Sequence, residues 1–415
     1  MLCQFTVKNF RCFADDITLD MQATNITENT ESVITDVDSG QFLPLAVLYG
    51  PNGAGKSTVI LALSALHNKI MRPVYAAEGK DYFLDDAKQK IIPFRFSETH
   101  PHNPTEFEIF FRTTAYEYQY TITVKEEIIV SEYLSRKKLN GKLYNKIFSR
   151  NGADVKLQSS WRNYKIANLS SKIPLLSYLA ITYKQNPTIK DVFNWFENQL
   201  YVFPSSFSMD DSGTAKLMAF FISSVDDSIK DKVLQMLKEM NIDIKNYRTD
   251  KIANQYKVFT KHIISNHPYE LELEHESDGT LKLFWVLPFI ISSLMQGGTL
   301  AIDELDSKLH PKLLQYIISL YNDPYKNPHK AQLIFTSHDI STMNSENFRR
   351  DEIWFVAKGN DERSNLYSLV EIKQSDGTFV RKDAKYSKQY LEGRYGADPY
   401  LQKIIHWEDF YATNK

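Results

Sequence analysis

Apolar and polar positions along this chain of 415 residues follow three patterns. Near the N-terminus Met1-Leu-Cys-Gln-Phe-Thr-Val-Lys-Asn-Phe-Arg11 alternates, and so do Phe107-Glu-Ile-Phe-Phe111 and Tyr116-Glu-Tyr-Gln-Tyr-Thr-Ile-Thr-Val124. A period of two with charges on the polar side predicts short strands over residues 1–22 and an antiparallel sheet over Thr105–Leu134, half solvated. That accounts for the aromatic richness there better than base stacking does. Unbroken apolar runs follow a second pattern: Pro44-Leu-Ala-Val-Leu-Tyr49, Thr299-Leu-Ala-Ile302, Gln332-Leu-Ile-Phe335 and Ile353-Trp-Phe-Val356 read as strands, that at Thr299 buried. Between about Ser170 and Asp250 the period becomes helical, with Leu217–Val225 and Asp231–Met240 as amphipathic candidates. Tyr256–Leu273 returns as a hairpin, and Leu283–Met295 reads as a buried helix, short of the roughly 20 residues that span a bilayer.

Composition narrows the classes. Hydrophobic residues make up 43% of the chain, enough for one large composite domain or two to three smaller ones. Lysine and arginine number 49 against 51 acids, so the net charge of -2 makes no global case for nucleic acid or a membrane surface. Cys3 and Cys12 are too few for a disulfide framework or a four-ligand zinc site and fit a core or strand role in a reducing cytoplasm. The N-terminus lacks the charged-then-apolar layout of a signal peptide, and no internal repeat or low-complexity linker is present.

Candidate chemistry begins where the first of these apolar strands ends. Gly50-x-x-x-x-Gly55-Lys56-Ser57 is the P-loop spacing, placed between a strand and a predicted helix. Glycines at those positions let consecutive amides face a phosphate, with Asn52, Gly53, Gly55 and Thr58 in the cradle. Lys56 reaches the β and γ phosphates, and the Ser57 hydroxyl ligates magnesium. Beside such a loop, the acids closing Thr299-Leu-Ala-Ile-Asp303-Glu304 fit a Walker B strand, Asp303 organising Mg2+ and Glu304 activating water. ATP and Mg2+ are therefore the expected cofactors. Ser277-Asp-Gly279-Thr, ahead of the apolar helix, is an ordinary helix start whose free amides also suit an anion.

The Pro51-Asn-Gly-Ala54 filling, Glu276-Ser-Asp-Gly-Thr280, Ile302-Asp-Glu-Leu-Asp-Ser-Lys-Leu-His-Pro311, Gln332-Leu-Ile-Phe-Thr-Ser-His-Asp339, Arg349-Arg-Asp-Glu-Ile-Trp-Phe355 and Tyr390-Leu-Glu-Gly-Arg-Tyr-Gly-Ala397 together resemble a known group. They are similar to the stand-alone AAA-type, ABC-like ATPases of bacterial anti-phage defence loci, the circle of AbiLi, RloA and the AriA ATPase of the PARIS system. The resemblance implies an α/β fold: a P-loop NTPase of ABC-ATPase type with a mixed central sheet, an antiparallel β layer and a compact helical insertion without a long coiled coil. It divides the chain into lobes at 1–165, 166–255 and 256–415, together one ATPase head. It implies that His338 is the switch histidine and that Arg11, within Asn9-Phe-Arg-Cys-Phe13, lies near the nucleotide. Ser277 and Gly279 become a reduced signature that binds the γ phosphate of a second copy in trans, with Asp306 at that crossing. The chain departs from that group in having no glutamine at a Q-loop, the region of which would fall near Ser170 or Ser171.

Such proteins hydrolyse ATP slowly and assemble as head-to-tail dimers or larger homo-oligomers. They hold a partner effector, often TOPRIM-like, until a phage-encoded trigger is sensed, a toxin–antitoxin-like abortive infection logic. The tail of this chain carries no separate Asp-x-Asp strand-end pair, so an effector nuclease is not expected on the same chain. A RecF- or SMC-like repair ATPase that clamps DNA on dimerisation is the alternative. A transporter energy subunit and a binding module without turnover rank below it.

Overall fold

The unbroken apolar runs lie side by side. In the computed structural model, which describes residues 1–79, 90–204, 222–223, 226–252, 255–374 and 377–397, Leu200–Phe203, Thr299–Ile302, Gln332–Thr336, Leu45–Tyr49 and Ile353–Lys358 pair in that order as parallel strands, and Ser364–Ser368 adds an antiparallel edge. Every residue of Leu45–Tyr49, Thr299–Ile302 and Gln332–Thr336 is buried, because both faces are covered. Alternate side chains serve two cores. Ala46, Leu48, Ala301, Ile334 and Val356 join one, and Leu45, Val47, Tyr49, Leu300, Ile302, Leu333 and Phe335 the other.

The first core is closed by the long helix Lys56–Ala77, which lies between this sheet and the antiparallel one. That second sheet has seven strands among the described residues: Leu2–Lys8 and Ile17–Asp20 at one side, then Thr105–Arg112, Tyr116–Lys125, Ile128–Lys138, Asn145–Asn151 and Asp154–Leu157. The alternation seen in the sequence holds, with Tyr118, Tyr120, Ile122 and Val124 at no more than 2% exposure. Its aromatic residues pack on one another, as in the stacked Phe111 and Tyr118 rings, 5.3 Å apart, and on the helical segment beneath, where Trp195 stacks on Phe111 at 4.2 Å. The second core is closed by Asp278–Gln296 and Pro311–Asn322.

Three elements differ from the pattern reading. Leu200–Phe203 is a strand of the central sheet inside the segment whose period looks helical, because four residues are too few to show a period. Among the described residues the helical elements there include Leu175–Thr182, Pro187–Asn194 and Asp227–Glu239; most of the Leu217–Val225 candidate lies outside the described residues. The Tyr256–Leu273 hairpin is part of a three-stranded sheet, Asn246–Ile252, Gln255–Ile264 and His267–Glu272. The apolar helix reaches 19 residues, so by length and composition it could cross a membrane; it is packed here through Leu283, Phe284, Leu287 and Ile290.

A buried amide fastens the two sheets together. Gln332 accepts from the Leu2 N–H at 2.7 Å and from Thr299 Oγ1 at 3.0 Å, and donates to the Leu2 and Leu43 carbonyls, both at 3.1 Å. Gln332→Leu removes a fully satisfied group and orphans its partners, which cost about 1–3 kcal/mol each when buried. A loss of about 3 kcal/mol in denaturant-measured stability is expected.

A second buried cluster closes the same end of the molecule. Arg349 pairs with Asp351 at 2.8 Å and donates to the carbonyls of Glu28 and Thr24, while Glu352, fully buried beside them, accepts from the Arg349 amide. Burial pushes the Glu352 carboxyl up to about 8. An acid whose folded pKa exceeds its unfolded value binds more protons when folded, so its contribution is lost as pH rises from about 4.5 to about 8. Thermal unfolding should show Glu352→Gln gaining on wild type across that interval and keeping a constant lead above it.

Candidate nucleotide site

Parallel pairing sends the ends of four strands to one edge of the central sheet. Leu45–Tyr49 runs into Gly50 and Pro51, Thr299–Ile302 into Asp303 and Glu304, Gln332–Thr336 into Ser337 and His338, and Leu200–Phe203 stops where its last carbonyl accepts from the Asp303 amide at 2.9 Å. The loop after Tyr49 turns back into the helix at Lys56. Gly55 has φ 112°, and a Cβ there would stand 2.5 Å from Cys12 Sγ. Gly50 has φ 148° and lies so close to the Val356 carbonyl oxygen that a Cβ would come within 2.3 Å. Glycine is thus required at both positions by conformation and by space.

The cleft above the loop, about 620 Å3, is lined by Arg11, Cys12, Asn52, Gly53, Gly55, Lys56, Ser57, Thr58, Glu304 and His338. Lys56 is almost wholly buried, and its ammonium donates to the carbonyls of Gly50 at 2.8 Å and Pro51 at 3.2 Å. Burial lowers its pKa, while Asp303, Glu304 and Asp306 pull it back up. Asp303 is itself buried behind the wall, where its Oδ1 accepts from Thr336 Oγ1 at 2.5 Å. The same hydroxyl accepts from the Glu304 amide at 2.7 Å, so one threonine fixes both acids. Glu304 is exposed and left-handed, φ 49°. Asp306 Oδ2 accepts from the amides of His338 and Asp339 at 2.9 and 3.0 Å, tying the acid-bearing loop to the histidine loop. His338 also borders a second cleft of about 740 Å3 with Tyr49, Lys358 and Tyr390.

Arg11 reaches the wall because Asn9 staples the preceding strand. Buried Asn9 donates to the carbonyls of His100, Asn103 and Pro104 and accepts from the Phe94 amide, and Arg11 follows it with φ 52° and its amide on the Ile92 carbonyl. Asn9 and Thr336 carry geometry that no spacing rule flagged; the sequence signal for Thr336 is its place two residues before the histidine.

Ser277 and Gly279 are not on this wall. Ser277 is exposed and caps the helix that follows, its Oγ accepting from the Thr280 amide at 3.2 Å. Ser170 and Ser171 do not line the cleft either. The Ser170 carbonyl accepts from Arg150 and the Ser171 carbonyl from the Ile129 amide, so both belong to the rim of the antiparallel sheet, and the expectation of a Q-loop there is corrected. The strand that does abut Asp303 is Leu200–Phe203.

A glycine-lined loop at a strand-to-helix turn, a buried lysine, a hydroxyl at the second helical position and paired acids at the end of the strand one removed in the same sheet define a P-loop nucleotide-binding ATPase head. The chain belongs to the family described as "AAA domain, putative AbiEii toxin, Type IV TA system", which matches residues 45–344. No curated protein matches it. Among solved structures it is similar to an SMC head bound to the C-winged helix domain of ScpA, with 12% identity, TM-score 0.44 and coverage of 89% of this chain and 97% of the other. It is also similar to the SMC head domain from Thermotoga maritima, with 13% identity, TM-score 0.39 and coverage of 89% and 98%. Bound at this site, ATP would take its phosphates at the loop amides and Lys56, with Ser57 and Asp303 as the protein groups suited to Mg2+.

Thr336→Val keeps the shape of the side chain and removes both bonds to the acid pair. Steady-state turnover should fall about tenfold or more with ATP binding largely retained. Equal losses in binding and turnover would place Thr336 in the binding step instead.

Proposed function

We propose that this protein is a slow, magnesium-dependent ATPase that closes head to tail on a second copy when ATP is bound, and that the closed form holds a partner effector in anti-phage defence. The observation that carries this reading is the separation of the two halves of the chemistry. Lys56, Ser57, Glu304 and His338 share one cleft, whereas Ser277 and Gly279 do not line it, and Ser277 is exposed. A helix start that offers a hydroxyl and free amides beyond the reach of its own cleft suits the γ phosphate of another copy. Each site would then be completed by its partner, Glu304 would activate water and His338 would contact the γ phosphate. ATP would act as the adhesive, and hydrolysis would release it.

The defence role is supported by the family description, which names the AbiEii toxin and a type IV toxin–antitoxin system. In this reading the effector, of TOPRIM-like or other chemistry, comes from a neighbouring gene, and a phage product triggers its release in the cytoplasm.

Glu304→Gln retains ATP binding and removes the carboxylate that activates water, so it should accumulate the closed form; Lys56→Ala should lose tight ATP binding. Tagged Glu304→Gln protein, purified from its native locus with ATP and magnesium, should have a mass above a simple multiple of 48.2 kDa, the excess being a co-encoded protein. A bare ATP-dependent dimer would move the reading to a RecF-like clamp on DNA, with salt-dependent duplex binding as the next measurement. A monomer under every condition would end it.

A further inference from the structure

The antiparallel sheet stops before its core face does. Asp154–Leu157 is its last strand among the described residues and pairs on one side only, with Asn145–Asn151. Val155 and Leu157 pack half-buried against the core, which continues past them to Trp161, Tyr164 and Ile166. The hairpin turns on two residues, Gly152 and Ala153, so Asp154 and Lys156 direct their backbone groups to the partner strand, and Gln158 follows with its amide on the Ile147 carbonyl at 2.8 Å. Alternation leaves the N–H and C=O of Val155 and Leu157 facing outward. Beside them is a groove of about 540 Å3, lined by those two residues and by Trp161, Arg162, Tyr164 and Ile166 from the segment that follows the strand.

That segment is fastened from behind. The Tyr183 hydroxyl accepts from the Lys165 amide at 2.8 Å and donates to its carbonyl at 3.1 Å, and the Tyr178 hydroxyl does the same for Ala167 at 3.1 and 3.0 Å. Trp161 is buried, and the Tyr164 ring stacks on it at 5.5 Å and on Tyr183 at 3.9 Å. The groove therefore has one built wall and one bare strand edge. Charge selects its occupant. Between Arg136 and Lys190 the chain carries twelve lysines and arginines and a single acid, Asp154, in a protein whose net charge is -2. Lys156, Arg162 and Lys165 are exposed; Lys156 pairs with Asp154 at 3.3 Å, and Arg162 and Lys165 pair with no acid among the described residues.

We propose that this edge is a docking site for an acidic, extended segment of a partner protein, which adds beside Asp154–Leu157 as a further strand. Its backbone pairs with Val155 and Leu157, its alternate apolar side chains pack over the same two residues and Ile166, and its acids meet Lys156, Arg162 and Lys165. A bare edge invites self-association, and a lysine in the middle of the strand disfavours a second copy of it while admitting a strand that carries acids. Nucleic acid fits less well, because Trp161 is buried and the Tyr164 ring is already stacked, so neither offers a base an open face. No residue of the groove borders the nucleotide cleft, so the proposal is independent of the head-to-tail reading.

The probe is a fluorescein-labelled peptide of about ten residues that alternates valine and glutamate, titrated into the full-length protein and followed by anisotropy. It should bind, and a peptide alternating valine and lysine should not. Val155→Pro removes one outward N–H while leaving the bonds to Asn145–Asn151 in place, and should weaken binding about tenfold. Arg162→Glu combined with Lys165→Glu reaches the same site through charge and should also cost about tenfold. ATP turnover of both variants should stay within about twofold of wild type, which shows that they fold. Hydrogen exchange should show the acidic peptide protecting the Val155 and Leu157 amides. An acidic peptide that does not bind, or that binds Val155→Pro as it binds wild type, would overturn the proposal. Displacement of the peptide by an oligothymidylate of equal charge would give the surface to nucleic acid instead, and a concentration-dependent dimer abolished by Val155→Pro would give it to a second copy.

Discussion

Everything at the nucleotide edge depends on the parallel register of the central sheet. Ala301 sits opposite Ile334, and Ile334 opposite Ala46, so the three strands end within two residues of one another and their following residues share one rim. The Thr336 hydroxyl then locks the level locally, holding Asp303 through its side chain and Glu304 through its amide. A shift of one residue in any of these strands would exchange its two core faces, and in Thr299–Ile302 it would also draw Asp303 into the sheet, so the register is enforced by packing well before chemistry selects it.

Packing also explains why the phosphate loop is so constrained. The helix Lys56–Ala77 must bury its apolar side between two sheets while its first turn faces the rim. The chain reverses in the few residues between Tyr49 and Lys56, pressed against Val356 on one side and Cys12 on the other. Lys56 enters this crowded turn with its charge compensated by two backbone carbonyls and by the acids that follow Thr299–Ile302. A lone buried ammonium would be costly, and here the surroundings that accept it are the ones a triphosphate and magnesium would share.

Much of this was legible in the sequence because it rests on local spacing. Gly50, Gly55 and Lys56 announce their turn by residue type, and the runs ending at Asp303 and Thr336 announce strands. The alternation of Tyr116–Val124 announces a sheet with one wet face. What was not legible is long-range. Leu200–Phe203 has no period to read in four residues, and its place beside Thr299–Ile302 follows only from the assembled sheet. Asn9, Gln332 and Thr336 are ordinary polar residues until partners up to 330 positions away are brought to them. Ser170 and Ser171 were placed near the cleft by order along the chain, whereas the antiparallel sheet carries them to its own rim.

The bond from Leu2 to Gln332 has a bearing on how the chain is made. The first strand can take its final seat against the central sheet only after residue 332 has been synthesised, and the Thr24 contact with Asp351 waits longer still. At roughly 5–20 residues per second, the N-terminal strands spend tens of seconds without their closing partners. During that time the antiparallel sheet can form from its own hairpins, while the phosphate loop has neither Thr299–Ile302 nor Gln332–Thr336 beside it. A nascent chain therefore holds the glycine loop long before it holds a nucleotide site, and ATP enters only at the end of assembly.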